Sequence, residues 1–196
     1  YRNSDSELWA LACRYDDADD HKQVIPFRPD GTVGLPQETH RLPYLLEKLA
    51  GASGTLYICE GEKCAAAMNS IGLYCTTSIG GSESAHKTDW AGLSHFGEVV
   101  ILPDSDGPGE RYAATVAAIF ARLPGARVLK IARLEGLPEG GDVVDWIRRR
   151  IPDWDGFSQI PETVAEGLKE TLREEIDSIA TPISLAEIKV TGDDWP

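Results

Sequence analysis

The sequence predicts an α/β fold, a parallel sheet of four strands flanked by helices, on three observations. Between residues 55 and 132 the apolar runs TLYICE, LYCTTSI, EVVILP and ARVLKIA alternate with segments of helical pattern. Runs that are apolar along their whole length suit strands buried on both faces, the condition of a parallel sheet covered by helices. Glycine and proline stand between the runs, where such a sheet needs its turns.

The first 54 residues read differently. ELWALACRY and HKQVIPFRP are β-type runs separated by the acidic stretch DDADD, and PDGTVG is a turn signal, so a small antiparallel β-rich subdomain is expected. Pro43 then opens a short helix, PYLLEKLA, stopped by Gly51. TLYICE is the first strand of the sheet, EKCAAAMNSI a helix ended by Gly72, and LYCTTSI the second strand. GGSESAHKTDWAGL reads as a glycine-rich loop leading into a helix, with Ser82 or Ser84 as its cap. EVVILP is the third strand, and the third helix, PGERYAATVAAIFARL, begins at Pro108, where a missing N–H costs nothing. ARVLKIA is the fourth strand. GDVVDWIRRRI predicts a short helix and PETVAEGLKETLREEIDSIA a longer amphipathic one; TPISLAEIKVTGDDWP reads as an extended exit toward a further domain. The expected units are 1–54, 55–152, and a C-terminal helix with linker over 153–196.

Composition bounds the function. A chain of 196 residues, 42% hydrophobic and 26% charged, can bury a real core in one or two domains. Its formal charge of −13 repels polyanions, which argues against strong metal-free nucleic-acid binding unless basic groups gather locally or cations intervene. No run of 18 apolar residues and no charged-then-apolar leader occurs, so no membrane partner is expected and the chain is expected to be cytoplasmic. An opening at Tyr1 in place of Met suggests a piece of something longer. Cys13, Cys59, Cys64 and Cys75 form no C-x-x-C pair and have no histidine at zinc-finger spacing, which predicts buried or half-buried free thiols.

Acids stand where the strands of such a sheet end. Glu60 follows the first strand, Asp104 and Asp106 the third, and Asp142 a loop after the fourth. Ligands of open parallel sheets bind outside the carboxyl ends of the strands. Asp104 and Asp106 are two apart, so on extended backbone their side chains lean the same way. Two carboxylates about 4 Å apart repel by about 4 kcal/mol at an effective dielectric near 20, and a divalent cation reverses that sign. Mg²⁺ takes oxygen ligands, is content with one or two carboxylates, and keeps waters that a phosphate displaces. Glu60 then serves as ligand or as general base. D-x-D-G alone is a common turn; its place after a strand, beside the other acids and glycines, is what gives it weight.

Other features carry two readings each. Gly80-Gly81 either presents backbone N–H groups to a phosphate or makes only a tight turn. Lys63 meets a phosphate or is solvated; His86 and Lys87 follow the glycine loop as weaker candidates; Arg111 reaches the crevice or pairs with a neighbouring acid. Arg148, Arg149 and Arg150 complement a helix C-terminus or meet nucleic acid, short charge runs more often being solvated faces. Trp90, Trp146 and Trp154 read as core anchors, because no aromatic alternates with basic residues nearby.

At LYICEGEKCAAAM, TTSIGGSES, VVILPDSDGPGERYA and GDVVDWI the chain resembles the Toprim domain shared by bacterial-type primases, topoisomerases and several nucleases. It looks most like the Toprim domains of phage and mobile-element primase or primase-helicase proteins. The resemblance implies a general acid/base role for Glu60 and Mg²⁺ (or Mn²⁺) ligation by Glu60, Asp104, Asp106 and Asp142. It implies phosphate or nucleic-acid contacts at Lys63, Gly80, Gly81, Lys87 and Arg111. The implied activity is that of a DNA primase: RNA primer synthesis from nucleoside triphosphates on a single-stranded DNA template, alongside a fused or separate helicase domain. Toprim nucleases and non-catalytic Toprim modules that serve DNA binding or assembly are the alternatives. Cys64 stands where Toprim primases usually carry an aspartate, and Val144 where the third acidic motif of bacterial primases carries its second acid, so fewer carboxylates are expected.

Overall fold

The computed structural model describes residues 1–16, 22–36, 40–125 and 127–184; most of the DDADD stretch and the exit beyond residue 184 lie outside the described residues. Strands β1 (Leu11–Asp16) and β2 (Lys22–Phe27) pair antiparallel, with Leu11 opposite Phe27. The main sheet has β3 (Thr55–Cys59), β4 (Cys75–Thr76), β5 (Glu98–Leu102), β6 (Val128–Ile131) and β7 (Thr181–Pro182) in the order β4-β3-β5-β6-β7. The first four are mutually parallel, as expected. β7 is an addition: the exit strand lies antiparallel on β6 and Ile183 N–H donates to the Leu129 carbonyl at 2.8 Å, covering an edge that would otherwise expose its ladder.

Side chains of β3 and β5 alternate between two cores, the period-two consequence of the pleat. Tyr57, Cys59, Val100 and Leu102 face α2 (Glu62–Ser70), α4 (Val143–Arg150) and α5 (Glu162–Ile179), which contribute Met68, Trp146, Leu172 and Ile176 among others. Leu56, Ile58, Val99 and Ile101 face α3 (Gly107–Arg122) and α1 (Leu46–Leu49), packing with Tyr112, Phe120, Trp90 and Leu49. Each large apolar side chain so buried contributes about 1.5–3 kcal/mol. Trp90, Trp146 and Trp154 are all buried, and all four cysteines are free thiols. A third cluster of Trp9, Ala10 and Ile79, with Tyr1 and Leu42 against it, seats the N-terminal segment on the end of β4.

Three local expectations are corrected. The helix predicted after Gly80-Gly81 is instead two 3-10 segments, Ser82–Lys87 and Ala91–Leu93. The Ala85 carbonyl is occupied by Trp90 Nε1 (2.9 Å) and Asp89 N–H is diverted to the Arg41 carbonyl (2.8 Å), so the α-helical bond between Ala85 and Asp89 is not made. Strand β4 spans two residues because the Tyr44 amide binds the Thr77 carbonyl (2.9 Å) and Ser78 N–H reaches the Tyr112 hydroxyl (3.3 Å), drawing the backbone off β3. The helix at Pro43 is a single turn beginning after Leu45, whose left-handed φ of 58° bars an earlier start.

Among the described residues no helix is long and apolar enough to cross a membrane.

Candidate active site

The strand order places a crevice. The chain runs from β3 outward to β4 and then back across to β5, so connections leave β3 and β5 on opposite faces: α2 packs on one, α3 on the other. The carboxyl ends of these adjacent strands therefore open into a gap no helix fills. Cys59 pairs with Leu102 in register, so the chain beyond the pair begins with Glu60 on one strand and Pro103-Asp104 on the other. The sequence thereby delivers two acids to one point by register alone.

Asp104 is the electrostatic centre. Its carboxyl is pushed up to about 7, first by burial and then by the charges of Glu60, Asp142, Asp106 and Asp145 in that order. Four of these five acids are those singled out in the sequence, and they do converge on one locality. Among the described residues, however, no three His, Cys, Asp or Glu side chains stand at the geometry of a single ion cage.

Backbone amides hold three of the acids. Asp106 caps α3, its Oδ1 accepting from Gly109 N–H at 2.8 Å. Asp142 caps α4, with Oδ1 accepting from Val144 N–H (2.6 Å) and Asp145 N–H (3.2 Å), while Asp145 Oδ2 accepts from Asp142 N–H (3.1 Å). Asp145 is thus one half of a capping box. Asp142→Ala is expected to cost about 1–2 kcal/mol in urea unfolding, with Asp142→Asn recovering most of it, because asparagine caps nearly as well. The two acidic loops are joined directly: Ser105 N–H donates to the Gly141 carbonyl (2.9 Å) and Gly140 N–H to the Ser105 carbonyl (3.1 Å).

Cys64, the residue in place of an acid, is buried; burial, then the Asp142 charge, pushes its thiol well up. It is a neutral thiol beneath the acids, and its neighbours Cys59 and Cys75 lie with Sγ atoms 3.3 Å apart.

The basic candidates are scattered. Lys63 stands over the Phe157 ring, 5.3 Å from its centroid. Arg111 folds back on Gly107, with Nη1 3.4 Å from where a Cβ there would lie. Lys87 and His86 are exposed, and the Lys87 carbonyl accepts from Arg41 N–H. Gly80 and Gly81 have φ of 93° and 72°; no side chain caps the 3-10 turn that follows, and the Ser82 side chain lies outside the described residues. Of the three terminal arginines of α4, Arg150 stacks on Trp146 (3.4 Å) and pairs with Glu175 (3.1 Å), Arg149 binds the Gly136 carbonyl, and Arg148 binds the Asp155 carbonyl.

Sequence reasoning missed two cations. Arg41 donates to the Ile79 carbonyl (3.3 Å) and Ser84 Oγ (3.1 Å), bracing the glycine loop. Arg133, two residues past β6, grips Glu110 of α3 with both arms (2.5 and 2.7 Å). The pair lines a cleft of about 360 Å³ with Asp104, Ser105, Asp106 and Gly107. The signal for Arg133 was available: it follows a strand end, as Glu60 and Asp104 do.

No protein-family model matches the chain, and no curated protein matches it. Solved structures do. A DNA primase domain from Pseudomonas aeruginosa aligns with TM-score 0.59 at 18% identity, over 92% of this chain and 50% of that one. The DnaG catalytic core aligns with TM-score 0.56 at 18% identity, over 95% and 53%. The primase fragment of the bacteriophage T7 primase-helicase protein aligns with TM-score 0.51 at 14% identity, over 79% and 60%. The fold is therefore that of primase catalytic domains, and this chain spans half to three-fifths of the length of these structures.

Proposed function

We propose that this chain is the Toprim-containing catalytic part of a DNA primase of the phage or mobile-element type, transferring nucleotides to a growing RNA primer. The observation that carries the reading is the gathering of Glu60, Asp106, Asp142 and Asp145 around Asp104 at the crevice between β3 and β5. The primase fold of its structural neighbours supports it.

The donor set suits Mg²⁺ or Mn²⁺. All the gathered groups are hard oxygens; burial and then their mutual repulsion hold Asp104 up, and an ion that takes one or two carboxylates plus phosphates needs no three-donor protein cage. Asp104 and Asp106 would hold it, with Glu60 or Asp142 beside a second; bound there, it would supply charge neutralisation for the triphosphate and its leaving pyrophosphate. Glu60 accepts the proton of the attacking 3′-hydroxyl. Asp106 and Asp142 each spend Oδ1 on helix amides, which fixes the carboxylate plane. Single-stranded DNA, nucleoside triphosphates and a helicase domain are the partners of this reading.

Incubation with single-stranded template, nucleotides and Mg²⁺ or Mn²⁺ tests it. Glu60→Gln is expected to remove primer synthesis altogether; primers made at the full rate by that variant would overturn the assignment. A second reading, a DNA-binding Toprim module without turnover, is favoured by one observation, the buried neutral thiol of Cys64 where such primases usually carry an acid. It predicts DNA binding with no product from the unaltered protein.

A further inference from the structure

Phe157 is the most exposed large apolar side chain among the described residues, at 77%. Its backbone is held firmly. The Asp155 carboxylate accepts from Phe157 N–H and Ser158 N–H (2.7 Å each) and from Ser158 Oγ (2.5 Å). Trp154 Nε1 donates to the Ser158 carbonyl at 2.8 Å, and Arg148 to the Asp155 carbonyl at 2.7 Å. Gly156, with φ of 91°, threads between two cations: a Cβ there would lie 3.0 Å from both Lys63 Cε and Arg148 Nη2. A well-ordered turn thus keeps a phenyl ring in water beside an ammonium and a guanidinium, on a chain whose net charge is −13.

Beyond its contact with the Lys63 ammonium such a ring gains little from the fold, since burial is what makes an aromatic most stabilising. An outward π-face flanked by cations matches a nucleobase and its neighbouring phosphates. The Asp155 carboxylate is turned into its own turn by three donors. Lys63 lies three residues beyond Glu60, so the platform borders the acidic crevice.

We infer that Phe157, with Lys63 and Arg148, forms a stacking platform that binds single-stranded nucleic acid at the rim of the crevice. The inference rests on the functional reading above and adds to it the surface that guides the template. The sequence hides it because the cations come from α2 and α4, and no basic residue adjoins Phe157 along the chain.

The test is fluorescence anisotropy of a labelled thymidine oligomer of about 15 nucleotides in low-salt buffer with Mg²⁺. Phe157→Ala is expected to weaken binding at least about fivefold, the loss of one base–aromatic stack, and Phe157→Trp to restore it. Lys63→Ala should lower the slope of log affinity against log salt by about 0.7, one phosphate contact on a single strand. Equal affinity of Phe157→Ala and the unaltered protein, or no binding by the unaltered protein, overturns the inference. Glu60→Gln separates the two claims: it is expected to bind the oligomer normally while making no primer. Normal binding with no primer from any form would sink the catalytic reading and leave the platform standing.

Discussion

Gly109→Ala is expected to destabilise the protein by about 3 kcal/mol or more and to dismantle the acidic site, although alanine is the better helix former. A Cβ at residue 109 would stand 2.4 Å from the Asp104 carbonyl oxygen, 2.8 Å from its nitrogen and 3.0 Å from its carbonyl carbon. All three are backbone atoms at the end of β5 and cannot swing aside. The first turn of α3 must then lift off, which breaks the bond from Gly109 N–H to Asp106 and moves Asp104 out of the crevice. Gly107→Ala, one position before Pro108 in the same turn, is the control. Its Cβ would meet only the mobile end of Arg111 at 3.4 Å. Urea unfolding of the two variants should differ by most of the predicted loss; equal midpoints would contradict the packing argument.

Asp104→Asn is expected to act in the opposite direction, and in a pH-dependent manner. Asp104 titrates near 7 in the folded chain, mainly through burial and then the neighbouring acids, against about 3.9 for an unfolded aspartate. Between those values the folded state holds more protons than the unfolded one, so this group's contribution falls as pH rises from about 4 to about 7. Asparagine does not ionise and escapes the loss. Without divalent ions, the variant should melt above the unaltered protein at pH 8, and the gap should close as pH approaches 4. A gap that stays constant across that range would show that Asp104 is not held up by its surroundings.

Much of this was legible in the sequence because it depends on local pattern. The four parallel strands follow from doubly buried apolar runs, and Glu60 and Asp104 meet because each directly follows one. Features that depend on tertiary partners were not legible. The extent of β4 is set by Tyr44 and Tyr112, and the 3-10 geometry after Gly81 by Trp90 and Arg41, residues distant in sequence or acting through side chains. Strand β7 arises because β6 offers an open edge, which a run such as TPIS does not announce. The basic residues were the least readable part. A lysine or arginine near a glycine loop looks alike whether it meets a phosphate, a carbonyl or an aromatic ring, and here Arg148 and Arg149 took carbonyls and Lys63 a ring.

Everything proposed for catalysis depends on the charge gathered about Asp104 finding a divalent partner. The most direct measurement is the melting temperature at pH 8 during Mg²⁺ titration at constant ionic strength, for the unaltered protein and for Asp104→Asn. A ligand that binds only the folded state raises stability by about 2.7 kcal/mol at a hundredfold excess over Kd, so a saturating rise is predicted for the first protein and little or none for the second. A flat response in the unaltered protein, or the same rise in both, would contradict the account.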